Sequence, residues 1–150
     1  MSCKKCYVCN MTKVNNSLLN ELLKNNGASI TTQRNAIFET IYINQPVSAV
    51  KLVKLMQNEV DRVSVYRTIN LFLKLGIVQR INNGSSYLLE LTDIFSNHHH
   101  HLICSLCGNI TNINETELEG FIKNLSSKKK FIPIAHQIEI QGFCYKCSKK

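Results

Sequence analysis

The chain has 150 residues, 44% of them hydrophobic and 19% charged, with a formal net charge of +8. That is room for one average domain or two small ones, too little for a TIM barrel or a full two-domain enzyme, and enough apolar content to exclude wholesale disorder. No apolar run approaches the roughly 18 residues of a membrane span, and the opening MSCKKCYVCN lacks the apolar stretch of a secretory signal, so a cytoplasmic chain with reduced thiols is expected.

Seven cysteines in that setting point to metal ligation or redox chemistry and away from a disulfide scaffold. Their placement is uneven. Cys3, Cys6 and Cys9 open the chain, residues 10–97 contain neither Cys nor His, and the other four Cys and all five His lie in 98–147. The break predicts a Cys-containing tail (1–16), a first module (17–91), a hinge (92–97) and a second module (98–150). Residues 1–91 hold eleven Lys/Arg against five Asp/Glu. The excess positive charge therefore belongs mainly to the module without metal-type residues, and it invites a polyanion.

In the first module Ser17 is expected to cap a helix over 18–26 that ends at Gly27. A second helix runs from about Thr32 to Ile43, with Ile37 and Ile41 one turn apart, until Gln45-Pro46 breaks it. A third spans about Ser48 to Gln57 with Leu52, Leu55 and Met56 turned inward. A fourth spans about Ser64 to Leu75 and ends at Gly76. Ile77–Ile81 and Tyr87–Leu91 read as strands around the turn Asn82-Asn83-Gly84-Ser85. The second module reads as strand (His101–Ile103), strand (Asn109–Ile113), helix (Glu115–Ser126) and strand (Ile134–Gln141). Glu115, Glu117 and Glu119 suit the positive end of that helix, and Lys128–Lys130 its negative end.

Projected at about 100° per residue, the fourth helix places Val65, Ile69, Phe72 and Leu73 on one arc and Tyr66, Arg67, Asn70 and Lys74 on another. One face packs while the other presents an aromatic ring, an amide and two cations. Such a pattern also fits the solvated face of an ordinary amphipathic helix; between a helix-turn and a β-hairpin in a basic module it reads equally as the recognition element of a winged helix-turn-helix, in which Arg can read guanine, Asn can read adenine, and Lys and Tyr can hold phosphates.

Cys104-x2-Cys107 and Cys144-x2-Cys147 each can bite one metal, and together they close a four-thiolate tetrahedron suited to a structural Zn²⁺, one per chain, with no open position for catalysis. His98–His101 precede a strand. Alternation sends His98 and His100 to one face and His99 and His101 to the other, so two separate metal sites can share one segment. His136, alone, is more often a satisfied core histidine; it becomes a ligand if it meets His98 and His100, with Glu119 as an oxygen donor. Cys3, Cys6 and Cys9 fall short of a closed zinc site and suit a loose terminus or a labile metal-loading or redox tail. An enzyme is not expected, since the zinc deaminase pattern of His-x-Glu with Pro-Cys-x-x-Cys is missing.

Taken together, Ile30-Thr31-Thr32-Gln33-Arg34, Ser64-Val65-Tyr66-Arg67-Thr68-Ile69-Asn70, Leu75-Gly76-Ile77-Val78, HHHHLICSLCG (98–108) and HQIEIQGFCYKC (136–147) resemble the ferric uptake regulator (Fur) superfamily over about residues 17–147. The resemblance implies an α+β chain with an N-terminal winged helix-turn-helix DNA-binding domain and a C-terminal α/β dimerisation domain carrying a four-cysteine zinc site. It implies a homodimeric, metal-dependent repressor of metal uptake genes that binds a palindromic operator in double-stranded DNA, with the metal as corepressor. A peroxide-sensing regulator of the same type and a thiol redox or metal-buffering protein are the alternatives.

By position, the resemblance implies DNA contacts at Tyr66 and Arg67, with Arg34, Ser64, Thr68, Asn70 and Lys74 in the same motifs. It implies structural zinc at Cys104, Cys107, Cys144 and Cys147, and a metal site on the dimerisation domain at His98, His100, Glu119 and His136. The regulatory Zn²⁺ or Fe²⁺ falls to His99 and His101 with Glu90, for which Asp93 is a rival because of an insertion before His98. The chain departs from the family where Gln45-Pro46 replaces a His, Asn112 an acid, Gln79 an Asp, and Ser29 a Lys.

Overall fold

A computed structural model describes the backbone of residues 7–83 and 86–149 and the side chains of 15–82 and 86–149. Cys3, Cys6, the Cys9 side chain and the Gly84-Ser85 part of the hairpin turn lie outside the described residues. The elements are α1 (Tyr7–Asn25), α2 (Thr32–Asn44), α3 (Ala49–Met56), α4 (Arg62–Lys74), β1 (Val78–Asn83), β2 (Ser86–Leu91), β3 (His100–Cys104), β4 (Ile110–Ile113), α5 (Thr116–Lys128) and β5 (Glu139–Gly142). They form two compact units, Met1–Ile81 with Tyr87–Asn97 and Asn82–Ser86 with His98–Lys150. No helix among the described residues is long and apolar enough to cross a membrane.

The first unit is helical with a hairpin. Its helices start where side-chain oxygens satisfy backbone donors. Thr31 accepts from the Arg34 N–H at 3.2 Å, Ser48 from Lys51 at 3.2 Å and Asp61 from Ser64 at 3.0 Å. The Asp61 carboxyl is held below its usual range foremost by the Ser64 hydroxyl. Two starts differ from the sequence reading. The cap of α4 is Asp61, so the helix begins at Arg62 and not near Ser64. Similarly, α1 begins at Tyr7, well before Ser17, and runs through residues assigned to a tail. No Gly or Pro interrupts residues 7–25, so a capping residue inside a permissive stretch did not mark a start.

Leu19, Leu23, Ile37, Phe38, Ile41, Leu52, Val65, Ile69, Phe72 and Leu89 form the centre of the core. Phe38 lies edge-on to Phe72, with centroids 6.5 Å apart, and to Phe95 at 4.9 Å. Leu55, expected inside, is 47% exposed. Leu52 and Met56 define the buried stripe of α3, with Ala49 and Val53 half-buried beside it, and Leu55 falls on the other side of Leu52. Gly76, at φ 66°, ends α4 and lets the Ile77 N–H return to the Phe72 carbonyl at 2.9 Å, which turns the chain into β1. Val47 and Leu89 exchange backbone hydrogen bonds of 2.9 and 2.8 Å, and Gln45 Oε1 accepts the Leu91 N–H at 2.7 Å. The residues after α2 thus act as a short third strand on the hairpin.

The second unit is a three-stranded sheet of order β4-β3-β5, in which β3 runs antiparallel to β4 and parallel to β5. Helix α5 lies in the crossover between β4 and β5. The last strand is shorter than the expected Ile134–Gln141: only Glu139–Gly142 pairs. Pro133 has no N–H to donate, and Ile134 is fully exposed, so no packed face holds that stretch as strand. His100, His101, Ile103 and Cys104 are the buried side chains among the described residues of this unit, and α5 buries none.

Candidate metal centres and DNA-reading face

One feature of topology assembles two ligand clusters. Because β3 and β5 are parallel, with His101 beside Glu139 and Cys104 beside Gly142, both strands end at the same edge of the sheet. The two CxxC turns that follow them therefore emerge side by side. An antiparallel pair would have sent them to opposite ends. By the same rule the residues preceding the two strands, His98 and His136, meet at the other end.

At the first end the four sulfurs of Cys104, Cys107, Cys144 and Cys147 lie within 4.8 Å of one another. Each turn closes on itself: the Gly108 N–H returns to the Cys104 carbonyl at 2.8 Å, and the Cys147 N–H to Cys144 at 2.8 Å. Gly108, at φ 70°, takes a left-handed conformation that a side chain would disfavour. The four cysteines are free thiols, and the 3.8 Å between the Cys107 and Cys144 sulfurs is far beyond a disulfide bond. A tetrahedral ion with metal–sulfur bonds of about 2.3 Å spaces its sulfurs about 3.8 Å apart, so the donors fit such an ion in type and in separation.

The thiols do not titrate alike. The Cys144 N–H, donating to Cys104 Sγ at 3.3 Å, and the Cys107 N–H bring Cys104 down to about 6. Hydrogen bonds with Cys144 and Cys107, followed by burial and Cys104, push Cys147 up to about 12. Cys147 is thus held as the thiol chiefly by hydrogen bonds to its neighbours, and a dication at the centre would favour the thiolate instead.

At the second end the ligand atoms of His98, His100, Glu119 and His136 also lie within 4.8 Å of one another. Glu119, from the crossover helix, accepts from His100 Nε2 at 2.8 Å, with His136 Nε2 at 3.2 Å and His98 Nε2 at 3.3 Å. His98 and His136 Nε2 atoms are 3.1 Å apart. Bonds of about 2.0–2.1 Å to nitrogen or oxygen would space tetrahedral ligands about 3.3 Å apart, so this set also fits a metal. Burial alone would raise the Glu119 carboxyl, but hydrogen bonds from His100 and His136 and the charges of His136 and His98 outweigh it and leave it below its ordinary value. The stability from this pairing is then present above the ordinary carboxylate range and lost as pH falls through the lowered value. Metal uptake fails earlier, because histidines must be neutral to bind. Affinity at this cluster is expected to fall below pH about 6, as measured by competition with a metal indicator, and a flat profile from pH 7 to 5 would contradict the assignment.

The four-histidine tract divides as alternation predicts: the His98 and His100 rings lie 4.7 Å apart, and those of His99 and His101 4.8 Å apart. His101 is fully buried and His99 half-buried. In the first unit Glu90, on β2, is 2% exposed and accepts from Gln79 Nε2 at 3.5 Å, while Asp93 is exposed in the turn that follows. Gln45, in place of the family's His, spends its carbonyl on the β2 backbone.

On α4, Val65, Ile69 and Phe72 are buried and Leu73 half-buried, while Arg67, Asn70 and Lys74 are exposed and Tyr66 half-buried. Thr68, in the expected contact set, is buried at 6% exposure. Ser64 is half-buried, with its N–H engaged by Asp61, and the half-buried Arg34 side chain donates to the Ser29 carbonyl. The sequence reading passed over Arg62, whose guanidinium lies over the Tyr66 ring, 5.7 Å from its centre. The signal was the i, i+4 spacing.

The ferric uptake regulator family matches residues 25–141. The chain belongs to that family. The ferric uptake regulation protein of Bacillus subtilis is 32% identical over 136 residues, covering 85% of this chain and 91% of its own. That of Escherichia coli (strain K12) is 33% identical over 131 residues, covering 83% and 87%. The structure of the Helicobacter pylori ferric uptake regulator Fur aligns with a TM-score of 0.77 at 22% identity, over 93% of this chain and 95% of that one, and shows the shared fold. As a Fur-family chain it is a metal-responsive, DNA-binding transcriptional regulator with a winged-helix head followed by the family's dimerisation domain.

Proposed function

We propose that this Fur-family chain is a cytoplasmic homodimeric repressor of metal uptake genes, with Zn²⁺ or Fe²⁺ as corepressor. The reading is carried by the division of His98–His101 into two ring pairs on opposite faces, one of which already meets Glu119 and His136. The other pair, His99 and His101, is assigned a second ion, with Glu90 or Asp93 as the carboxylate. Ligands drawn from both units make the pose of the DNA-binding head depend on metal.

Cys104, Cys107, Cys144 and Cys147 hold a structural Zn²⁺, whose bound charge supplies a four-way cross-link between the ends of β3 and β5. His98, His100, Glu119 and His136 hold a further ion. The exposed apolar side chains Leu102, Phe121, Phe131, Ile140 and Phe143 supply a surface for pairing with a second copy. Two heads so paired suit the half-sites of a palindromic operator, with Tyr66, Arg67, Asn70 and Lys74 turned to the DNA and Arg34 and Ser64 at the margins. Nitrogen and oxygen donors at the regulatory position accept iron as well as zinc; the all-histidine run favours zinc.

A gel shift on the DNA upstream of the protein's own gene, with zinc, iron, manganese or chelator, tests the corepressor role. Retardation by zinc or iron that chelator reverses is expected. Equal binding in every condition would remove metal from the mechanism.

A further inference from the structure

We propose that Arg62 is a further DNA-contacting residue of α4, delivering a guanidinium to a backbone phosphate at the N-terminal end of the reading helix. The inference rests on the DNA-reading role assigned to α4 above. Arg62 is the first residue of the helix, and Arg62, Tyr66, Asn70 and Lys74 follow one another at intervals of four from its first residue to its last. The stripe expected to face DNA is thus one full turn longer than the Tyr66–Lys74 segment. Arg62, Asn70 and Lys74 are exposed and Tyr66 half-buried, so the stripe is open along its length.

Position in the helix does not favour a cation at Arg62. The first turn of a helix favours acids, because its free N–H groups make that end positive. Helix α5 obeys this rule, with Glu117 and Glu119 in its first turn. Helices α2, α3 and α4 have no acid there and carry Arg34, Lys51 and Arg62 instead. Three helices of the basic unit share the departure, and the helix of the other unit does not. The Asp61 cap and the Tyr66 ring offset part of this placement for Arg62, and an anionic partner would offset the rest.

Arg62 is also oriented. Its guanidinium lies over the face of the Tyr66 ring, which holds the cation beside a residue already expected at the DNA. In helix-turn-helix docking the N-terminal part of the recognition helix approaches the duplex closely, so a guanidinium held there has phosphate within reach.

The test measures operator binding by the metal-loaded full-length protein over a range of salt. Arg62→Ala is expected to weaken binding about tenfold, on operator and on unrelated duplex alike, and to reduce the salt slope by about 0.9, the share of one phosphate. Arg62→Lys is expected to keep the slope. Unchanged affinity, a loss without a change of slope, or a loss confined to one base pair of the operator would overturn the proposal. Arg67→Ala and Lys74→Ala run in parallel. If they lose binding while Arg62→Ala does not, only Arg62 is misassigned. If none of the three matters, α4 is not the reading helix. Because Arg62 is exposed and opposes the helix end, its removal should leave the thermal unfolding of the first unit unchanged or slightly raised, which separates a DNA effect from a folding one.

Discussion

On the proposed structural-zinc reading, Cys104→Ser is expected to purify without the zinc expected in the wild-type chain and with its second unit largely unfolded, while the first unit keeps its structure. The reason is the difference between the two interiors. The first unit encloses a continuous apolar core in which Leu19, Leu23, Ile37, Phe38, Ile41, Leu52 and Phe72 are fully buried. Among its described residues the second buries Ile103 and Cys104 with His100 and His101, and its helix buries nothing. A three-stranded sheet with so small an interior cannot offset the conformational entropy of its own ordering. Metal–ligand bonds are expected to supply much of what apolar contacts within the unit do not, beside the pairing surface proposed above. Mass measurement under native conditions should fall from at least one zinc per chain to none in the variant. Amide exchange should become fast in β3–β5 and stay slow in α2 and α4. A variant that keeps its zinc and its protected β3 would show that the thiol cluster does not hold the unit.

The paired substitution His99→Ala/His101→Ala is expected to retain that zinc and the cooperative unfolding of the first unit, yet to bind operator equally with and without added metal. Coupling of one ligand to another through a change of pose is typically about 5- to 150-fold, and this is the metal-dependent gain that should vanish. His98→Ala/His136→Ala, which removes ligands from the other face of the same segment, serves as the comparison. If the His99/His101 variant responds to metal as the wild type does, the regulatory assignment is wrong.

Much of the first unit was legible because its signals are local. Gly27, Pro46 and Gly76 punctuate the helices, and the two faces of α4 follow from a period of 3.6. The start of α1 was not legible, because Ser17 is an acceptable cap that the chain does not use. Leu55 was misjudged because the angular position of a residue says which side of a helix it occupies, but not how wide a stripe the neighbouring elements cover.

In the second unit the division runs between chemistry and place. The sequence by itself determined the ligand types: the CxxC pairs that chelate and the histidine tract whose alternation separates two faces. Only the tertiary structure decided where those ligands go. The parallel pairing of β3 with β5 sets both CxxC turns at one end and His98 and His136 at the other, and the crossover helix brings in Glu119. No local pattern encodes that pairing, since the two strands are joined through a strand and a helix and each alone would pair in either direction. The direction follows from two reversals: β4 returns antiparallel to β3, and the connection through α5 turns the chain again, which leaves β5 parallel to β3.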